Sequence, residues 1–253
     1  MEQIMLKGKR IIITGSARGL GQAFAISLVE KGAHIVIADI LETEGSAVAN
    51  SLQKSGYDAH FVQVDLGDPR SIEACVSQSM KMLGGLDGLV NNGAIATGIG
   101  GVSMEDIDID VWDRVMNVNV RGTWLMTRAA APFLRQSSCG KVVNVASDTA
   151  LWGAPQLMHY VSSKGAIIAM TKSMARELGN DNVCVNAIAP GLTLVDATEY
   201  VPKERHQLYQ NGRAISRAQL PEDVVGVVNF LLSDSANFIT GQLLPINGGF
   251  VMN

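Results

Sequence analysis

The chain has 253 residues, 47% apolar and only 17% charged, enough for one large domain with a substantial core. Its net charge of −4, with no basic block, argues against nucleic acid as a partner and leaves no polybasic patch for a membrane. No window reaches the roughly 18 consecutive apolar residues of a membrane span, and Met1–Arg10 lacks a signal peptide's apolar run.

The elements follow in order. Arg10–Thr14 is a short β-branched run, read as a buried strand. The turn Gly15-Ser-Ala-Arg18-Gly19-Leu20-Gly21 leads into a helical pattern over 22–31 that Gly32 ends. His34–Ala38 is a second strand with Asp39 at its end; a helix over 42–54 and a strand over Ala59–Val64, closed by Asp65, come next. Pro69 opens a third helix. Leu86–Val90 is a strand running into Asn91-Asn92-Gly93-Ala94, and the Gly-rich stretch 95–108 reads as a loop. A long helix is expected over about 110–135, then a strand over Val142–Ala146, then a helix carrying Tyr160 and Lys164 to about Gly179. Asn182–Ala189 is a strand stopped by Pro190-Gly191; 192–220 is mixed and polar, and within it 192–213 reads as a mobile substrate flap. Pro221 starts a helix to Leu232, and Gln242–Ile246 is the last strand. Strand and helix alternate without linker or repeat. The expectation is a single α/β domain over 1–253, a doubly wound parallel sheet flanked by helices.

Cys75, Cys139 and Cys184 are odd in number and unclustered. That argues against a disulfide framework or a Cys-rich zinc site and for buried, reduced thiols. A cytoplasmic protein without metal is expected.

The glycine turn sits between a strand and a helix, where it lets the backbone approach a pyrophosphate resting on the helix N-terminus. Asp39, about 20 residues on, is placed for ribose hydroxyls. Asp65 and Asn91 end further strands at the same edge of the sheet, so the polar residues converge on one crevice. Tyr160 and Lys164 lie four apart, one turn apart on a helix face. A fixed ammonium nearby favours the phenolate and lowers the phenol's pKa, so Tyr160 is expected to exchange protons near neutral pH. Ser147 follows a run of β-formers and falls at a strand's carboxyl end. His159 points about 100° away from Tyr160 on a helix, so it is not taken as a metal ligand.

With these residues in place, the chain resembles the short-chain dehydrogenase/reductase family, of the compact type. Thr14–Gly21, Asp39, Asp65, Asn91–Ala94, Asn119, Ser147, Tyr160-x-x-x-Lys164 and Asn186–Gly191 match in the family's order, almost end to end. The resemblance implies a Rossmann-type fold and a nicotinamide cofactor held by Gly15, Arg18, Gly19, Leu20, Gly21, Asp39, Asp65, Leu66, Asn91, Tyr160, Lys164, Pro190, Gly191 and Thr193. It implies Tyr160 as acid/base, Lys164 on the nicotinamide ribose, Ser147 on the substrate oxygen and Asn119 fixing a relay water. It also implies a homo-oligomer, a tetramer, which would cover the apolar tail Gly248–Asn253.

Two departures stand out. Asn91-Asn92-Gly93-Ala94 replaces the family's usual Asn-Asn-Ala-Gly, and because glycine permits positive φ the loop backbone is expected to differ. Val195 stands where the family often has a carboxamide-binding Thr, with Thr193 as a substitute. Asp39 favours NAD over NADP, with Arg18 as the countervailing feature. Leu151, Trp152, Leu157, Met158 and Val195 make the expected pocket apolar, and Trp152 is taken as substrate-binding. The expected substrate is a small to medium apolar alcohol or ketone, cyclic or aromatic. The alternatives are an NADPH-dependent 3-oxoacyl-thioester reductase, which Asp39 disfavours, and a non-catalytic dinucleotide sensor, for which the Asn119, Ser147, Tyr160 and Lys164 set would be superfluous.

Overall fold

Strand residues alternate between two apolar layers, and that alternation organises the molecule. In the computed structural model, which describes residues 5–252 apart from the side chain of Ala197, β1 (Arg10–Thr14) sends Ile11 and Ile13 to one face and Ile12 to the other. Six more strands follow: β2 (His34–Asp39), β3 (Ala59–Gln63), β4 (Gly88–Asn91), β5 (Gly140–Val145), β6 (Val183–Pro190) and β7 (Leu243–Ile246). All seven pair in parallel, in the order β3-β2-β1-β4-β5-β6-β7. The order reverses between β1 and β4, and ligands of open α/β sheets bind at the carboxyl ends beside such a switch point.

The helices are α1 (Gly19–Glu30), α2 (Glu42–Lys54), α3 (Pro69–Leu83), α4 (Ile109–Val115), α5 (Thr123–Leu134), the short α6 (Thr149–Trp152), α7 (Met158–Leu178), α8 (Lys203–Gly212) and α9 (Glu222–Leu232). Phe24 and Leu28 of α1, Val48 and Leu52 of α2, and Val224 and Val228 of α9 cover one face with Ile11, Ile13, Ile35 and Ile37. Ile72 and Val76 of α3, Leu125 and Leu134 of α5, and Ala175 and Leu178 of α7 cover the other with Ile12, Val36 and Leu89. Both faces are buried, which is why the strands read as unbroken apolar runs. Truncating a fully buried Ile or Leu in such a layer costs about 2–5 kcal/mol.

Local chemistry sets the ends. Asp68 caps α3 by accepting from Arg70 N at 2.9 Å, Pro69 opens it, and Gly84 ends it at φ 69°. Asp108 caps α4 by accepting from Asp110 N and Val111 N.

Several boundaries differ from the sequence expectation. The fourth strand begins at Gly88 and includes Asn91, and the fifth begins at Gly140. The long helix over 110–135 is α4 and α5 joined through a π-helical stretch, Met116–Gly122. Such wide turns insert an extra residue and recur at functional sites; here the stretch buries Asn119, which is 1% exposed. The first four residues, and Asn253 of the tail, lie outside the described residues.

Candidate active site

Three glycines allow the loops after β1 and β4 to touch. Gly15 has φ 63°, and a Cβ there would lie 2.5 Å from Gly93 Cα; a Cβ on Gly21 would collide with the Gly15 carbonyl. The expectation that Gly93 serves positive φ is corrected: it is not among the positive-φ glycines. A Cβ on it would instead meet Leu66 Cδ1 at 2.6 Å, Gly15 N at 3.2 Å and Thr14 Oγ1 at 3.3 Å, so close packing accounts for this departure. Thr14 Oγ1 accepts from Asn92 N and Gly93 N, both at 3.0 Å, and Asn92 Nδ2 donates to the Thr14 and Gly15 carbonyls.

Asp39 lies at the end of β2 as expected, 7% exposed. Its Oδ2 accepts from Ala17 N at 2.9 Å and its Oδ1 from Leu41 N at 3.1 Å, so the carboxylate also braces the glycine turn. Arg18 is exposed beside it. Asp65 is exposed past β3, where Oδ1 accepts from Gly67 N, while Leu66 is buried beneath Gly93 and Gly122. The Asn91 side chain turns away from the crevice: Nδ2 donates to Thr127 Oγ1 and Asn144 Oδ1. Any share it has in the crevice comes from its backbone. Gly19 faces Val195, 3.7 Å from where its Cβ would stand. Thr193 Oγ1 donates to the Gly191 carbonyl.

Ser147 follows β5 directly, 8% exposed, and its Oγ accepts from Thr149 Oγ1 at 2.9 Å. The hydroxyl of Tyr160, on the first turn of α7, faces Ser147. Part of the tyrosine reaches solvent, but its hydroxyl is enclosed. Lys164 is 4% exposed; Nζ donates to the Val145 carbonyl at 2.7 Å and lies 5.6 Å from the Tyr160 ring centre.

Burial pushes the Tyr160 phenol up to about 12, with the Ser147 hydrogen bond opposing and the Asp148 carboxylate adding to it. Lys164 is not among the groups acting on it here; its Nζ is directed at Val145. Burial lowers Lys164 itself to about 8. Asn119 Oδ1 accepts from Ile95 N at 2.7 Å, and Nδ2 donates to Ile95 O and Ser163 Oγ. It thus clamps the 95 loop to the residue preceding Lys164.

Trp152 is half-buried and its indole edge is committed: Nε1 donates to Tyr209 Oη at 3.2 Å, and the ring packs edge-on to Tyr209 and Phe250. His159 is buried, and no cluster of metal-ligating groups occurs among the described residues. The segment 192–213 carries two firm anchors, Tyr209 and Arg213, 2% and 5% exposed. Sequence reasoning missed Thr149, Asp148, Ser163, Tyr209 and Phe250. Asp148 and Thr149, just after Ser147, and Ser163, just before Lys164, left a local signal; Tyr209 and Phe250 left none.

The residues present fit a dinucleotide: a tight glycine turn with Gly15 and Gly19 at positive φ, a twelve-residue helix starting at it, and an acidic residue at the next strand end. A sequence model described as Enoyl-(Acyl carrier protein) reductase matches residues 15–251. The 3-oxoacyl-[acyl-carrier-protein] reductase FabG of Aquifex aeolicus is 35% identical over 248 residues, 98% of this chain and 99% of its own.

The chain belongs to the short-chain dehydrogenase/reductase family.

A further family member, the 3-alpha-(or 20-beta)-hydroxysteroid dehydrogenase of Mycobacterium tuberculosis, is 35% identical over 246 residues, 97% of this chain and 90% of its own. The crystal structure of a gluconate 5-dehydrogenase from Burkholderia cenocepacia J2315, in complex with NADP and tartrate, matches with a TM-score of 0.92 at 27% identity over 98% of this chain and 97% of that one. The chain is therefore a nicotinamide-dependent oxidoreductase acting on CH–OH or keto groups. No helix among the described residues is long and apolar enough to cross a membrane.

Proposed function

We propose that this short-chain dehydrogenase/reductase interconverts a secondary alcohol and a ketone on a small to medium apolar substrate, with NAD(H) preferred and Tyr160 as proton donor and acceptor. The observation carrying this reading is the convergence of Tyr160, Ser147 and Lys164 at the carboxyl end of β5, on the sheet edge where the glycine turn also lies. Bound nicotinamide would accept or supply the hydride. Tyr160 Oη takes the alcohol proton in oxidation and returns it in reduction. Ser147 Oγ accepts from Thr149, which leaves its one hydrogen to point at Tyr160, and the substrate oxygen would take that hydrogen when it enters between the two hydroxyls. Lys164 has two N–H donors beyond the Val145 bond for the nicotinamide ribose, and their charge would bring the phenol down from its buried value. Asn119 would anchor the relay water from its place beside Ser163.

Asp39 supports NAD, because a 2′-phosphate beside it would place like charges together. In this reading the whole chain acts as one domain, 192–213 closes over substrate, and copies associate as a tetramer in the cytoplasm. The FabG likeness supports a second reading, an NADPH-dependent 3-oxoacyl-thioester reductase. A screen at 340 nm with both cofactors separates them, using cyclohexanol, 1-phenylethanol, a hydroxysteroid and a 3-oxoacyl thioester. Turnover of the alcohols with NAD is expected. Turnover confined to the thioester with NADPH would replace the first reading by the second.

A further inference from the structure

Asp148 has no part in the chemistry above, yet it is an enclosed charge directly beside it. It follows Ser147 in the chain and is 0% exposed. Three segments meet on it. Tyr209 Oη of α8 donates to Asp148 Oδ1 at 2.8 Å. Asp148 N donates to the Pro190 carbonyl at 3.1 Å. Gly191 comes so close that a Cβ there would lie 3.0 Å from Asp148 Oδ2 and 2.9 Å from Arg213 Nη2.

The carboxylate is poorly compensated. Oδ2 has no hydrogen-bond donor among the described residues. Arg213 faces it, but Arg213 spends its donors on the carbonyls of Leu192, Arg217 and Asn247 and on Gln219 Oε1. The other polar or titratable groups around it are Tyr209 of α8, on which Arg205 acts in turn, Tyr160 of α7, and the neutral Asn247 and Thr149. A buried carboxylate with one well-formed hydrogen bond and only weaker contacts from Asn247 and Thr149 is costly, and an amide or apolar group would serve packing more cheaply. What the charge does have is a neighbour in Tyr160, whose phenolate it opposes, and a tether to α8 through Tyr209, itself braced by Trp152 and by stacking on Phe250 at 4.4 Å.

We infer that Asp148 is a positioning residue, whose charge sets the pH at which Tyr160 releases its proton and whose bond to Tyr209 seats α8 against the substrate side of Ser147. The inference rests on the reading of Tyr160 as the acid/base. The two roles separate by substitution. Asp148→Asn keeps an acceptor for Tyr209 and removes the charge. Tyr209→Phe removes the tether and leaves the carboxylate ionised at the alkaline pH where the phenol titrates, although loss of its donor raises Asp148 itself.

The test is the pH profile of kcat/KM for oxidation of 1-phenylethanol with NAD, or of the panel alcohol that turns over fastest. In Asp148→Asn the limb that reports the base is expected to move down by about half a pH unit or more. In Tyr209→Phe it is expected to stay in place while KM rises severalfold. A limb unmoved in folded Asp148→Asn, or a KM unchanged in Tyr209→Phe, would overturn the inference; the second result decides the matter should Asp148→Asn not fold. Tyr160→Phe is measured alongside. If it keeps wild-type turnover, the acid/base reading itself is lost, whereas an inactive Tyr160→Phe with an unmoved Asp148→Asn limb removes only the role of Asp148.

Discussion

Tyr160 carries the most direct consequence at the scale of single residues. Tyr160→Phe removes one enclosed hydroxyl and leaves the ring, so folding and NADH binding should survive while turnover drops about 10²–10⁴-fold. Steady-state rates beside an NADH fluorescence titration check this; turnover within about threefold of wild type would refute the assignment. Asp39 is expected to act twice. Asp39→Ala should raise the NADP-to-NAD ratio of kcat/KM by about tenfold or more, since several kcal/mol of like-charge repulsion disappear. It should also raise KM for both cofactors, because Ala17 N and Leu41 N lose their acceptor. A wild-type preference for NADP would end this account. Asp148 gives a pH signature in stability. Folded Asp148 keeps its proton up to about 6, against 3.8 ordinarily, so between these values the folded state holds more protons than the unfolded one. Its contribution therefore makes stability fall as pH rises from about 4 to about 6, by about 3 kcal/mol as an order of magnitude. Urea melts at pH 4 and 7 should show this fall in wild type and a smaller one in Asp148→Asn; equal falls would contradict it.

Among the elements, the turn after β1 and the loop after β4 are fitted to each other by absent side chains. Gly21→Ala drives a methyl into the Gly15 carbonyl, which is backbone and cannot yield cheaply. It should cost about 1–3 kcal/mol or more and weaken NADH binding at least about tenfold. Gly93→Ala collides only with Leu66 Cδ1, the far end of a flexible side chain, and stands 3.2 Å from the Gly15 backbone nitrogen, so it should cost less than Gly21→Ala, about 1–3 kcal/mol at most. Thermal melts and NADH titrations of the pair decide it, and equal damage would refute the packing account. This contrast was only half legible in sequence. The Gly-x-x-x-Gly-x-Gly turn announces itself, but that Gly93 is used for space rather than φ depends on Leu66, 27 positions earlier in the chain. The helix over 110–135 was legible as helical and illegible as interrupted, since its apolar spacing alone does not mark Met116–Gly122.

For the molecule as a whole, the C-terminal tail changes meaning once folded. The apolar stretch 248–253 suggests burial against a second copy, but Phe250 stacks on Tyr209, meets Trp152 edge-on and fills the space beside Gly212. The tail thus pins α8 within its own chain, and Ile109, Trp124 and Phe238 are large apolar side chains left exposed elsewhere. Phe250→Ala should speed hydrogen exchange of the α8 amides by about tenfold or more and leave the core strands unchanged; unchanged exchange in α8 would show that the aromatic stack is not its anchor. The sequence by itself determined the alternation of strand and helix, the two-sided burial of the sheet, the glycine turn and the one-turn spacing of Tyr160 and Lys164. Each of these follows from local periodicity and backbone freedom, which a linear string records. Only the tertiary structure decided that Lys164 reaches Val145, that the Asn91 side chain turns into the core, and that Asp148, Trp152, Tyr209 and Phe250 share one cluster. Such contacts join segments far apart in the chain, and their partners are set by how loops and layers pack, which no local pattern encodes.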